Sequence, residues 1–466
     1  MAQHSKQRKI KDLIRLFREQ MEDGAFHFFD IEEVENLFNY FTDRSYYSKA
    51  LKISEIGAEL YPFSVDMILL KSQALVNLER YNQAFNILEN AIVIQPNDAD
   101  LLIMKANILS LREEYMEAVS VLEQALAFSS NLDDLYFQIG LAYQNASDFD
   151  LAIRSYKQAI EENMQHDGAL YELAYCLDIT GALEDSLDYY KKFIDSDPYS
   201  HLGWYNLGII YHKLGKNKEA VEAYQYAFLI KEDFSSAYFN LGNTYMSMDQ
   251  YSQALDSYRQ TVDLEGPSAE THFCMGEAYE KLGHLDLALK YYRKAYKLDN
   301  FYDEAAFGIG SCLHQQERWY EAIHFFNKAI KLNPDIESYW MALADAEYKV
   351  GNLISTLEAY QKAALLGPEN IDVWLMWSFL YYEQGDYPKC LELIKNGLEE
   401  NPAEPSLYYR SVAYFIAAGK YKEGLAYLEN GLILDFDKHQ ELFEFYPNLQ
   451  HQKALLKIID QYRPEN

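Results

Sequence analysis

Apolar residues along this chain recur first with the period of a helix and then, on a longer scale, every 34 residues. In the most regular copy, residues 201–234, the recurring residues are Trp204, Leu207, Gly208, Tyr211, Ala220, Tyr224 and Ala227, at positions 4, 7, 8, 11, 20, 24 and 27 of the unit. The next copy places Tyr238, Leu241, Gly242, Tyr245, Ala254 and Tyr258 at the same positions, and the one after it Met275, Gly276, Tyr279, Ala288, Tyr292 and Ala295. At about 100° per residue, positions 4, 7, 8 and 11 share one arc of a helix, while 2, 5, 6, 9, 12 and 13 face away. The pattern predicts a helical hairpin per unit. Small residues at 8, 20 and 27 let backbones approach, and aromatics at 11 and 24 fill the space beside them.

The punctuation agrees with the periodicity. Glycine at position 15 (Gly181, Gly215, Gly283, Gly351, Gly385, Gly419) supplies a left-handed residue to end the first helix, and proline near position 32 (Pro62, Pro96, Pro198, Pro334, Pro368, Pro402) stops the second. Copies start without insertion at Ile31, Val65, Ala99, Asp133, Asp167, His201, Ser235, Ala269, Asp303, Glu337, Ile371 and Pro405, which gives twelve. Asp30 with Glu33 is a capping-box signal for the first helix. Before the array, residues 6–21 carry Ile10, Leu13, Ile14, Phe17 and Met21 opposite Lys6, Arg8, Lys9, Lys11, Arg15 and Arg18. This amphipathic helix is expected to cap the first repeat, with contact to an anionic membrane as the competing reading. After Phe436, a short helix broken by Pro447 and a last helix with Leu455, Leu456 and Ile459 turned inward form the other cap. Fraying is expected from Arg463 onward.

These residues resemble the tetratricopeptide repeat, whose pattern is Trp, Leu, Gly, Tyr, Ala, Phe, Ala and Pro at positions 4, 7, 8, 11, 20, 24, 27 and 32. The match runs over residues 31–438. The resemblance implies an all-α fold, a right-handed superhelical α-solenoid with the first helices lining a concave groove. The expected organisation is a capping helix and linker over 1–30, the twelve-repeat array over 31–438 and capping helices over 439–466. Two interior departures stand out. Phe193 at position 27 is expected to open the spacing between repeats five and six, and Glu347 at position 11 is expected to turn outward while Tyr348 is buried instead.

Position 5 faces the groove, yet reads Tyr171, Tyr205, Phe239, Phe273, Phe307, Met341, Leu375 and Tyr409 through repeats five to twelve. A continuous apolar stripe on an outward face marks a binding surface. Asn206, Asn240 and Asn243 add amides that can pair with an extended peptide backbone, similar to a fragment of the asparagine ladder in the repeat superhelix of O-linked N-acetylglucosamine transferases. The expected peptide-binding set is therefore Tyr171, Tyr205, Asn206, Phe239, Asn240, Asn243, Phe273 and Phe307. The carboxylate clamp with which some relatives capture chaperone tails needs cations at positions 2 and 5, and no repeat has one there. Glu172, Glu277, Glu280 and Asp345 point to a neutral or basic segment.

Composition narrows the function further. A formal charge of −31 opposes binding to nucleic acid or an anionic membrane. Acidic residues at position 2, including Glu270 and Glu304, also have a local reason, since the first turn of a helix favours carboxylates. The four cysteines have no paired or metal-type spacing, and the eleven histidines form no ligand motif. No phosphate loop or catalytic constellation appears. The reading is a non-enzymatic scaffold without cofactor or metal, cytoplasmic and without a spanning helix, that holds a segment of another protein in its groove. The alternative is a structural subunit that self-associates into a homo-oligomer. RNA reading is disfavoured by the acidic groove.

Overall fold

A computed structural model describes residues 2–23 and 26–464, with side chains from residue 10 apart from 23–25. The charges expected on Lys6, Arg8 and Lys9, and the extreme C-terminal residues expected to fray, lie outside what is described; Arg463 itself pairs with Asp460 at 2.8 Å. Among the described residues there is no strand, and 27 α-helices follow one another along the chain. Helices α2 (Ile31–Thr42) to α25 (Tyr421–Leu434) form twelve hairpins. Even-numbered helices are the first members and odd-numbered helices the second.

The repeat register is written into the backbone. Positive φ occurs at Ser45, Glu79, Glu113, Ser147, Gly181, Gly215, Asp249, Gly283, Glu317, Gly351, Gly385 and Gly419. These are position 15 of all twelve copies. Half are not glycine, so the turn geometry is imposed by the flanking helices even where the residue type resists it.

Inside the hairpins, bulk is exchanged between positions 8 and 24. At Gly140, Gly208, Gly242 and Gly276 an added Cβ would lie 2.4–2.6 Å from the ring of Tyr156, Tyr224, Tyr258 or Tyr292. Where position 8 is instead Phe38, position 24 shrinks to Ser54, and both are buried. The same sum of volumes is kept with the large partner on the other helix, as close packing requires.

By compactness the chain divides into two units, residues 1–237 and 238–466, and the division falls within α14 (Ser235–Ser247). The first unit begins with α1 (Ala2–Asp23), which buries Leu13 and Phe17 against α2, with Phe17 5.2 Å from Phe41. This packing is compatible with the cap expected there. Asp30 completes its capping box with Glu33, donating and accepting at 3.3 and 2.8 Å. Phe193 does not part α11 (Leu183–Ser196) from α12 (His201–Lys213), because Gly203 makes room for its ring. The loosening falls instead between α10 (Asp167–Ile179) and α11, which touch less than α11 and α12 do.

The second unit ends with α26 (His439–Phe445), a 3-10 turn over Pro447–His451, and α27 (Lys453–Gln461). Leu455 and Ile459 are buried as expected, whereas Leu456 lies on the exposed side. Glu347 corrects a second expectation. It is buried, and it stays so because Asn352 donates its side-chain amide to the carboxylate at 3.0 Å and its backbone N–H to the Glu347 carbonyl at 2.9 Å. Tyr348 is the residue that reaches outward, donating to Glu383 at 2.7 Å.

Within each unit the first helices of successive hairpins touch, as α4 (Val65–Asn77) touches α6 (Ala99–Leu111) and α16 (Ala269–Lys281) touches α18 (Asp303–Gln315), while the second helices stay farther apart. A stack whose one layer is closer than the other curves with that layer inside. The outward face of the even-numbered helices therefore lines the inner side, apart from side chains that turn back into the stack.

Candidate functional site

The position-5 side chains occupy three environments. Tyr171 is 63% exposed. Tyr205, Phe239, Phe273 and Phe307 are half-buried, each leaning on the aromatic at position 24 of its own hairpin with ring centres 5.5–6.0 Å apart. Three of them also meet a ring at the boundary with the next repeat: Tyr205 meets Phe234 at 5.0 Å, Phe273 meets Tyr302 at 5.1 Å, and Phe307 stacks on Tyr339 at 4.6 Å. At the end of the stripe Tyr409 is buried and donates to the Asp435 carbonyl at 2.6 Å. The stripe is thus half wall and half surface, exposing ring faces without exposing whole side chains.

The three amides differ in their surroundings. Asn206 is 3% exposed, and its NH₂ donates to the Leu170 carbonyl at 3.1 Å and to the Tyr190 hydroxyl at 3.2 Å. It faces the inside of the stack and not the groove. The cause is Tyr190, which donates to that same carbonyl at 3.0 Å and leaves a buried oxygen for Asn206 to satisfy. Asn243 is half-buried, and its Oδ1 accepts from Tyr258 at 2.7 Å. Asn240 is half-buried on the same helix, and its carbonyl accepts from Thr244 at 2.9 Å.

Position 24 tyrosines explain much of this polar pattern, because each buried hydroxyl needs an acceptor. Tyr156 donates to Gln144 at 2.6 Å and Tyr292 to Glu280 at 2.8 Å, both at position 12. Groove acids are then tied to neighbouring repeats. Glu172 accepts from Gln144 and Glu280 from Gln315, each at 2.8 Å, and Asp345 pairs with His314 at 2.8 Å. Glu277 differs: among the described residues its carboxylate takes no hydrogen bond and no ion pair. Burial, and after it the nearby Glu280 charge, raises its pKa above the usual carboxylate value.

Glu277 opens onto a cavity of about 480 Å³ in the second unit, formed by α16, α18 and the start of α20 (Glu337–Lys349). Rings of Phe273, Phe307 and Tyr339 wall it, and Glu277, Glu280, Asp303 and Glu304 give it four carboxylates against the single ammonium of Lys281. Tyr339 donates to Asp303 at 3.1 Å, which fixes that carboxylate. Of the residues expected to bind a peptide, the cavity brings together Phe273 and Phe307. Sequence reasoning missed Tyr339 and Asp303, and it read Glu304 only as a helix-start carboxylate. Their signal was adjacency in space, since positions 1 to 3 of one repeat stand beside groove positions of the repeat before.

A second cavity, of about 420 Å³, lies in the first unit and is lined by Gln73, Val76, Met104, Asn107, Ser110, Leu111 and Asn145. It carries no charged side chain. Among the described residues no group of three or more His, Cys, Asp or Glu could hold a metal ion, and no helix is long and apolar enough to cross a membrane. Cysteine thiols are held neutral by burial, Cys176 at about 11 and Cys312 at about 12, as suits their packing positions.

Comparison with known proteins agrees with this architecture. Tetratricopeptide repeat models match residues 137–201, 239–303 and 275–335, a second such model 189–222, and a TPR repeat model 210–249. No curated protein sequence matches. Among solved structures, the chain is similar to YrrB, a TPR protein with an unusual peptide-binding site, at 21% identity over 40% of this chain and 95% of that one, with a TM-score of 0.34. It is also similar to the APC/C hetero-tetramer Cut9–Hcn1, at 14% identity over 85% and 97% with a TM-score of 0.40. The MamA protein gives 28% identity over 37% and 94%, with a TM-score of 0.32. With the repeat models matched through the middle of the chain and a left-handed turn recurring every 34 residues on both sides of it, the chain belongs to the tetratricopeptide repeat proteins.

Proposed function

We propose that this protein is an interaction scaffold that holds an extended, basic segment of another protein against the inner face of its second unit. The family is one of protein-binding scaffolds, and the fold supplies the inner face. The observation that supports the specific reading is the cavity at α16, α18 and α20, where half-exposed rings and an excess of three negative charges share one wall. Burial on Phe273 and Phe307 contributes roughly 25 cal/mol per Å² before ordering costs, and the acids steer a cationic chain toward it. Because the rings are already braced by Tyr292, Tyr302 and Phe326, little side-chain freedom is lost on binding.

Panning random dodecapeptides on the full chain tests the reading. Sequences that pair basic residues with aliphatic or aromatic ones are expected to be enriched, and Phe273→Ala with Phe307→Ala is expected to weaken them at least tenfold while circular dichroism stays helical. Enriched peptides indifferent to the double substitution would move the site elsewhere. Self-association remains the second reading from the repeat pattern, and nothing in the geometry of either unit favours it over a partner segment.

A further inference from the structure

The cavity in the second unit has more chemistry than a generic basic segment would use. Its four carboxylates are not equivalent. Glu280 has both oxygens occupied, by Tyr292 and Gln315, and Asp303 accepts from Tyr339. These two are pinned and supply a fixed field. Glu277 takes no bond among the described residues although it is half-buried, and Glu304 stands at the exposed edge. A half-buried carboxylate to which no described residue donates is open to a donor brought by a ligand. Beside it, the half-buried Phe307 ring is backed by the buried Tyr339 ring, stacked on it at an interplanar angle of 26°, and Phe273 lines the same cavity.

A flat cation with several donors satisfies both demands at once. A guanidinium can lie on the face of a ring and still direct parallel N–H bonds into a carboxylate, which an ammonium does less well because it is strongly hydrated and has no plane. Lys281, on the same wall, is exposed and makes no ion pair among the described residues. It does not donate to Glu277, and its charge leaves the cavity net negative by three.

We infer that this cavity is an arginine-recognition pocket: one arginine side chain of the bound segment lies against the Phe307 ring, which Tyr339 holds from behind, and forms a charge-assisted pair with Glu277, with Glu304 at the rim. The inference rests on the groove-binding reading above and sharpens it from a basic segment to a particular residue.

Three peptides are the probes, each with the sequence context enriched by panning and differing only at one central residue: arginine, lysine or citrulline. Isothermal titration against the full chain is expected to show citrulline binding about tenfold more weakly than arginine and lysine lying between them. Glu277→Gln is expected to remove most of the arginine–citrulline difference, and Lys281→Ala to leave it intact or enlarge it. Citrulline bound as tightly as arginine, with both lost in the Phe273→Ala, Phe307→Ala chain, would overturn the arginine pocket and keep the groove. Arginine peptide bound equally by wild type and that double variant would overturn both. A citrulline penalty unchanged in Glu277→Gln would place the guanidinium on other carboxylates and overturn the pairing proposed here.

Discussion

The two cavities on the inner faces of the units are close in size and opposite in chemistry. In the first unit about 420 Å³ is lined by Gln73, Asn107, Ser110 and Asn145 with Met104 and Leu111 between them. In the second, about 480 Å³ is lined by carboxylates and rings. Some of these residues occupy the same repeat positions: Gln73, Asn107 and Glu277 are all at 9, Ser110 and Glu280 both at 12. The hairpin stack creates the hollow whatever the sequence at those positions, and the residues there decide what the hollow can hold. A neutral amide lining suits a polar backbone, while an acidic aromatic lining selects a cation.

The largest expected effect breaks the second cavity from behind. Tyr292 both lines it and fills the space opposite Gly276, where a Cβ would stand 2.6 Å from the ring. Gly276→Val must push that ring, and overpacking of this kind costs about 2–3 kcal/mol. Gly208→Val makes the same collision with Tyr224 in the first unit. Both variants should unfold earlier in urea by similar amounts, but only Gly276→Val should also lose basic-peptide binding. Equal loss of binding in both would mean that the two units do not differ in the way their cavities suggest.

The next effect tests whether Asn206 belongs to either surface. Its amide satisfies the Leu170 carbonyl and the Tyr190 hydroxyl inside the stack. Asn206→Ala should cost about 1–2 kcal/mol, the range for leaving buried polar groups without a partner, and should not change peptide affinity once the protein is folded. Reduced affinity at unchanged stability, read by titration and chemical denaturation together, would return Asn206 to the groove.

Asn206 also shows where the sequence stops being informative. Helical periodicity identified the packing face, the small residues at 8, 20 and 27, the turn at 15 and the inner face, because each follows from one helix and its own register. Asn206 sits at the margin of that face, and its direction is decided by Tyr190, 16 residues away and in the preceding hairpin. Glu347 is a similar case: periodicity gave it a packing position, chemistry argued against burial, and a side chain in the following turn, Asn352, settled the matter. Phe193 was legible as a departure but not in its consequence, since that depended on Gly203 taking up the ring. The stripe at position 5 was legible as a row, whereas its partners Tyr302 and Tyr339 belong to repeat boundaries and have no position in the pattern that marks them.

The smallest effect is also the most discriminating, because it concerns a groove acid that has no partner among the described residues. Glu277 is shifted upward by burial first, then by Glu280 and Glu304, with Lys281 opposing. A carboxyl whose folded pKa exceeds its unfolded value contributes stability that is complete below the unfolded value, 4.5, and is lost as the pH rises through the folded one. At neutral pH the ionised group is therefore a liability to the fold. Glu277→Gln removes that liability, so at pH 7 its melting temperature should rise by about 1–2 °C, while at pH 4, where wild type is already neutral there, the two should coincide. A saturating arginine peptide should reverse the order at pH 7, since only the carboxylate can answer the guanidinium. Should Glu277→Gln be the less stable form at pH 7 without peptide, the carboxylate has a partner within the chain and its place in the cavity is structural. The first unit offers the control: its amide-lined cavity has no titrating group, so Asn107→Asp there should show no stabilisation at any pH and no preference for arginine over citrulline unless rings are placed beside it.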